Sequence, residues 1–323
     1  MGAIFTPFAE VSVLSNSSFG KDTYTYKIPG PLLSNLQPGH LVKVPFGPKI
    51  LKGFVIKRSP STAYPTKEII GLIRPFPLLT PKQLTLASWM SKYYYSPLSL
   101  VLKHFNLDAY PSELNQNTYP DIAQKLTLIP APNYQELPQT NCPIFHHNLT
   151  AKIKQQIWSD VYSGKTALIM GTRSSLFLPF RNLKEIEVYA GESKFYEERQ
   201  APYYHAVQLT SLIAKLFNTA ITVKYSIEFQ KELTERKLLG YPPSSDLLCL
   251  SPVKTAKKDH IIAQDLILSL KESVNRHNTQ VDIFKTEESG KIKIFLKGKN
   301  IHPLLQNLPK GWRVRIYYFN VNV

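Results

Sequence analysis

Across residues 39–58 apolar and polar positions alternate with period two on both sides of Pro45-Phe46-Gly47-Pro48. Val42, Val44 and Phe46 alternate with Leu41, Lys43 and Pro45. On the return run Leu51, Gly53, Val55 and Lys57 are set against Lys52, Phe54, Ile56 and Arg58. This is the period of a half-buried sheet, and it predicts two strands joined by a tight turn with cationic groups on the outer face. Further short strand-like runs at 9–14, 24–28 and 68–73 are separated by turn residues at 16–20, 29–31, 38–39 and 59–65. Residues up to 74 therefore predict a small, closed or strongly curved β-barrel-like unit.

The period then changes to that of a helix. Thr80-Pro81-Lys82-Gln83 offers an N-cap hydroxyl, proline at the first helical position and glutamine at the capping-box position, and the helix is predicted to end before Pro97 with Leu86, Met90 and Tyr93 or Tyr94 as its buried stripe. Residues 106–122 are polar and bear prolines, as a linker does. From 125 onward strands at 126–129, 144–146, 167–170 and 183–188 and a helix at 150–162 predict a reduced parallel α/β layer.

A third pattern starts with a polar helix at 228–239, closed by Gly240 and Pro242-Pro243. A strand at 247–253, a helix at 257–277, strands at 280–285 and 291–297, a short helix at 301–308 and a strand at 312–319 give the order βαββαβ, a ferredoxin-like domain. Ala263, Ile267, Leu270 and Val274 form a helical stripe suited to covering one sheet face. On the other face alternation sets Lys291, Lys293, Phe295 and Lys297 beside Arg313, Arg315 and Tyr317, cations interleaved with aromatics, as single-stranded nucleic acid would require. Protection of an exposed sheet edge by lysine explains the same pattern. The whole chain thus predicts an α/β class, α+β overall, with domains at 1–105, 106–222 and 223–323.

Charge sharpens the picture. The chain has 323 residues, a formal net charge of +16 and a pI near 9.6. Lys and Arg outnumber Asp and Glu 12 to 3 in residues 1–105 and 17 to 10 in 223–323, whereas the middle holds ten of each. Two basic ends flanking a neutral middle point to a polyanionic partner, DNA or RNA, because cations facing phosphates release condensed counterions. Cys142 and Cys249 are too isolated for a disulfide framework or a cysteine zinc site, which predicts a reduced, cytoplasmic setting and no metal or cofactor. No export leader and no run of about 20 apolar residues is seen.

Three blocks together resemble the primosomal replication-restart helicases, the PriA family. The first is Tyr24-Thr25-Tyr26, Val44-Pro45-Phe46-Gly47, Lys67 and the run from Tyr93 to Leu98; the second joins the stretch from Gly171 to Phe180 with that from Pro202 to Ala206; the third runs from Glu232 to Pro243. The resemblance implies a 3′ DNA-binding domain in which Tyr24, Thr25, Tyr26, Gly47 and Lys67 converge on a terminal nucleotide, with Lys43 on the same basic sheet. It also implies a remnant of the first helicase lobe and a C-terminal domain, where the alternation makes Lys291, Lys293, Phe295, Arg313 and Arg315 the candidate contacts to DNA or partners.

The departures decide the expected activity. A phosphate loop needs Gly-x-x-x-x-Gly-Lys-[Ser/Thr] between a strand and a helix. Gly164-Lys165-Thr166 has Ser159 at the first glycine's place and follows a helix, so it reads as a turn. The family's acidic motif should fall near Tyr189-Ala190-Gly191-Glu192, where two acids are replaced. The second lobe and the zinc-binding cysteines have no counterpart, and Thr25 stands where the family carries an acid. The leading expectation is a non-catalytic protein recognising 3′-ended or branched DNA at stalled forks. The alternatives are an ATP-dependent helicase, or an adaptor binding single-strand-binding protein or RNA.

Overall fold

The alternating run forms the centre of a five-stranded antiparallel sheet. Its strands are β1 (Phe8–Val13), β2 (Tyr24–Lys27), β3 (Leu41–Phe46), β4 (Lys49–Ser59) and β5 (Gly71–Leu72), in the spatial order β2-β1-β4-β3-β5. Val42 pairs with Gly53 and Val44 with Leu51, so the apolar alternation of both strands falls on one side. Ala9, Val11, Tyr26, Val42, Val44 and Val55 gather there with Leu36 and Ile69 in a core cluster. Pro45 and Phe46 belong to β3, and the turn narrows to Gly47-Pro48. Gly47 takes φ +57°, the positive value that a type II′ hairpin requires at its first central residue.

The sheet curls until its edges meet. The amide of Lys27 donates to the Lys67 carbonyl at 3.0 Å, and the amide of Ile69 donates back to the Lys27 carbonyl at 3.1 Å. One short bridge at Lys27 and Glu68 joins the edges, so the unit is strongly curved without being a closed barrel.

The computed structural model describes residues 7–15, 22–62, 66–105, 110–111, 113, 121–131, 141–253, 259–288, 291–305, 308–309 and 311–318. Most of the expected linker at 106–122, the turn at 16–20 and the start of the helix expected from 257 lie outside them. The chain gathers into two compact units, one of Met1–Lys92, Ser96–Tyr189 and Leu209–Val223, the other of Tyr93–Tyr95, Ala190–Gln208 and Lys224–Val323.

In the first unit the capping box at Thr80 forms as expected. The Thr80 amide donates to Gln83 Oε1 at 2.9 Å, and the Gln83 amide donates to Thr80 Oγ1 at 3.2 Å. Helix α1 (Pro81–Tyr93) follows, and α2 (Leu98–Phe105) succeeds it with Leu98, Val101, Leu102 and Phe105 buried. The sequence pattern had not singled out α2, since Pro97 masks its start, although proline just before a helix is well tolerated.

The second sheet of this unit is parallel. It holds β6 (Gln124–Leu128), β7 (Ile144–Phe145), β8 (Leu168–Gly171), β9 (Leu183–Val188) and β10 (Ala220–Val223) in the order β10-β9-β6-β8-β7. Helix α3 (Ala151–Ser163) connects β7 to β8 and buries Ile157, Trp158 and Val161. Strand β10 and helix α4 (Ala206–Phe217) add to the elements that the sequence pattern predicts.

In the second unit α5 (Ile227–Leu238) precedes β11 (Asp246–Pro252), α6 (Asp259–His277), β12 (Val281–Glu288), β13 (Lys291–Gly298) and β14 (Trp312–Tyr317). The spatial order is β12-β13-β11-β14, with every neighbouring pair antiparallel. Strands β11 and β12 therefore run the same way with β13 inserted between them, which is the split βαβ arrangement expected of a ferredoxin-like domain. Ala263, Leu266 and Leu270 of α6 pack with Leu248, Leu250, Ile292, Ile294 and Leu296 on one sheet face. Among the described residues no helix is long and apolar enough to cross a membrane.

Candidate nucleic-acid interface

At the rim of the curled sheet three aromatic rings draw together. Tyr24 meets Phe46 edge-on with centroids 5.1 Å apart, and the Tyr26 hydroxyl donates to the Pro45 carbonyl at 3.1 Å. Tyr26 is buried; burial first and the nearby Tyr24 second push its phenol up to about 12, so it stays a neutral donor. Beside them a Cβ added to Gly47 would meet nothing within 4 Å, which leaves the turn open to a ligand's approach. Lys67 is exposed, and alternation about the Glu68 bridge sets it on the side of buried Ile69, away from Glu68. Tyr24, Phe46 and Gly47 thus share the rim, Tyr26 supports it as a buried side chain, and Lys67 is exposed where its carbonyl accepts from the Lys27 amide.

Thr25 does not join them. It stands opposite Glu10 across β1 and β2, on the outer side. Glu10 accepts from the Thr23 hydroxyl at 3.2 Å and pairs with Lys57 at 3.0 Å. A carboxylate is therefore present one strand from the position where the family resemblance expects it. Only strand register reveals this, and register is not readable from a single strand's composition. Lys43 is also on the outer side, directly opposite Lys52.

In the parallel layer Gly164 is the C-cap of α3 with φ +80°, and β8 begins only after Thr166. Gly164-Lys165-Thr166 is a turn from helix to strand, and Lys165 pairs with Asp160 at 3.5 Å. The strand-to-helix turn that could cradle phosphate lies instead between β7 and α3, at His146-His147-Asn148-Leu149-Thr150. It contains no glycine, and Lys152 follows Thr150 rather than preceding it. Thr150 caps the helix by accepting from the Ile153 amide. These residues do not fit a nucleotide phosphate loop, which needs glycines for close backbone approach and a lysine before its hydroxyl residue.

The second face of the ferredoxin-like sheet, opposite α6, carries the expected cations around a buried centre. Lys293 aligns with Thr286, and Arg313 with Ser251, to whose hydroxyl its Nε donates at 3.2 Å; Phe295 aligns with Phe284 and Cys249, and Cys249 with Arg315. Arg313, Arg315 and Lys291 are exposed. Phe295 is on the expected face but only 3% exposed, stacked on Phe284 at 5.1 Å and packed with Leu247, Cys249, Tyr241 and Tyr317. Its ring is an internal support of the face and offers no open surface for a base. The same burial pushes the Cys249 thiol up to about 11.

Residues 12–105 match the model of the 3′DNA-binding domain (3′BD) of PriA. The chain is 25% identical over 307 residues to a replication restart protein PriA of Helicobacter pylori, a match covering 76% of this chain and 48% of that protein. It is 36% identical over 87 residues to the PriA of Bacillus subtilis and 32% over 78 residues to that of Haemophilus influenzae, covering 26% and 24% of this chain and 11% of each relative. The chain spans about half the length of the Helicobacter pylori relative it matches.

Proposed function

The chain is related to the PriA replication restart proteins, and we propose that it is a non-catalytic DNA-binding protein of that kind, recognising the 3′ end of a strand at branched or forked DNA. One observation carries the proposal: within the segment matching a 3′DNA-binding domain, Tyr24 meets Phe46 edge-on beside the open Gly47 turn, buried Tyr26 fastens β2 to Pro45, and Lys67 is exposed where its backbone meets Lys27. Aromatic edges there can pack a terminal base, the bare backbone at Gly47 lets the sugar approach, and Lys67 meets the last phosphate.

The non-catalytic part rests on the β7–α3 turn, whose His146-His147-Asn148-Leu149-Thr150 sequence lacks the cradle that phosphoryl transfer depends on. The exposed cations Lys291, Arg313 and Arg315 of the C-terminal sheet favour a second, single-strand contact, for which RNA competes with DNA.

The test uses forks identical except for a 3′-hydroxyl or 3′-phosphoryl end at the junction, titrated with wild type, Lys67→Ala and Thr25→Asp. Lys67→Ala is expected to weaken binding to the hydroxyl end, whereas Thr25→Asp, on the outer side of the sheet, is expected to leave the response to the end unchanged. Identical binding of both substrates by all three proteins would remove the end-recognition reading.

A further inference from the structure

The lysines of the curled sheet fall into two classes. Lys27 pairs with Glu68 at 2.9 Å, and Lys57 pairs with Glu10 at 3.0 Å. Lys43, Lys49 and Lys52 are all exposed, and among the described residues no acidic side chain pairs with any of them. Lys43 and Lys52 face each other directly across β3 and β4. Like charges so placed destabilise a sheet, since neighbouring strands are only about 4.8 Å apart. The two acids of this sheet that could relieve them are committed elsewhere.

On the outer side the paired Leu41 and Phe54 are buried, and toward the hairpin turn the surface opens at Lys43, Lys52 and Ile50. Gly71 of β5 lies next to Lys43 in the register, and a Cβ added there would meet nothing within 4 Å. Ile50, next along the same outer side of β4, is 64% exposed. Lys49 pairs with Phe46 at the hairpin end, so it stands on the rim side, one residue from the open Gly47 turn. An exposed apolar side chain beside the lysine pair suits a polymer that alternates anionic phosphates with less polar sugars and bases.

We propose that the outer face of the β3–β4 hairpin, through Lys43, Lys52 and Ile50, is a docking strip for the phosphodiester backbone of the DNA strand leading to the bound end, with Lys49 carrying the path from the rim onto that face. An anionic backbone laid between Lys43 and Lys52 relieves their repulsion, so binding gains what the free protein loses. The proposal rests on the end-binding reading, and its consequences are separable from it. The rim governs preference for an end, whereas the strip governs the salt dependence and the gain in affinity with strand length.

The experiment titrates end-bearing forks with long and short arms over a range of salt, using wild type, Lys43→Ala/Lys52→Ala and Lys43→Arg/Lys52→Arg. The double alanine variant is expected to lose about two units of log-log salt slope, one for each phosphate contact, and most of the gain from arm length. It should keep the ratio between forks with and without an end, and its melting temperature in the absence of DNA should be equal to or above that of wild type. The arginine variant should restore the slope. A folded double alanine variant with wild-type slope and length dependence would overturn the strip, even if an acidic protein were found to bind this face. Loss of the end ratio in wild type, with the slope change intact, would instead overturn the end-binding reading.

Discussion

The hydroxyl of Tyr26 donates to the carbonyl oxygen of Pro45 across 3.1 Å, fastening β2 to the end of β3 where the hairpin turns. Tyr26→Phe keeps the ring and removes only this bond. It is expected to cost about 1 kcal/mol of stability, the usual worth of one intramolecular hydrogen bond, and to loosen the rim enough to weaken end preference. Urea denaturation and end-bearing fork titration of the variant check both; an unchanged midpoint would mean that the bond fastens nothing.

The turn between β7 and α3 leads to an expectation about nucleotide. Wild-type protein with ATP, magnesium and forked DNA should release phosphate no faster than the protein-free control, and Lys165→Ala should change nothing, because Lys165 is a half-exposed partner of Asp160. DNA-dependent phosphate release abolished by that substitution would contradict the assignment of Gly164-Lys165-Thr166 as a helix-ending turn.

Much of this architecture was legible in the residues. Strand β9 occupies 183–188 as the pattern predicts, the Thr80 capping box forms, and the split βαβ order follows from the third period change. Two kinds of feature were not legible. Helices α2 and α4 lie among prolines and short apolar runs, where length does not separate helix from strand. Contacts fixed by register, such as Glu10 opposite Thr25 and Lys43 opposite Lys52, depend on which strands become neighbours. Phe295 illustrates a third limit: alternation placed it on the correct face, but the ring of Phe284 and the cluster around Cys249 bury it.

That burial changes what a substitution there should do. Phe295→Ala is expected to cost about 3 to 5 kcal/mol of stability through lost packing, so any loss of nucleic-acid binding would follow loss of fold. Arg313→Ala leaves the core intact and should instead reduce the salt slope for single strands by about one unit. Thermal melts alongside binding titrations separate the two; a stable Phe295→Ala protein would show that the ring is not part of the packed support.

A pH dependence follows from His205. The side chain is only 4% exposed, between Tyr196 and Tyr318, and burial lowers its pKa to about 3 from an ordinary value near 6.5. Between those values the unfolded chain binds the extra proton, so stability rises with pH, by up to about 1.4 kcal/mol per unit, and this contribution levels off above the unfolded value. Melting of the wild type should therefore drop from about pH 7 to about pH 5, and His205→Phe should flatten that part of the slope. An equal acid sensitivity in the variant would assign the effect to other groups.

The central claim is that this chain holds a 3′ DNA end at its N-terminal rim, and the most direct measurement compares two forks that differ only in whether a 3′ end is present at the junction. Titrated by fluorescence anisotropy at one salt concentration, the end-bearing fork should bind about tenfold more tightly, the equivalent of one stacked base with its phosphate contact. Equal affinity for both forks would contradict the claim and leave only general charge attraction.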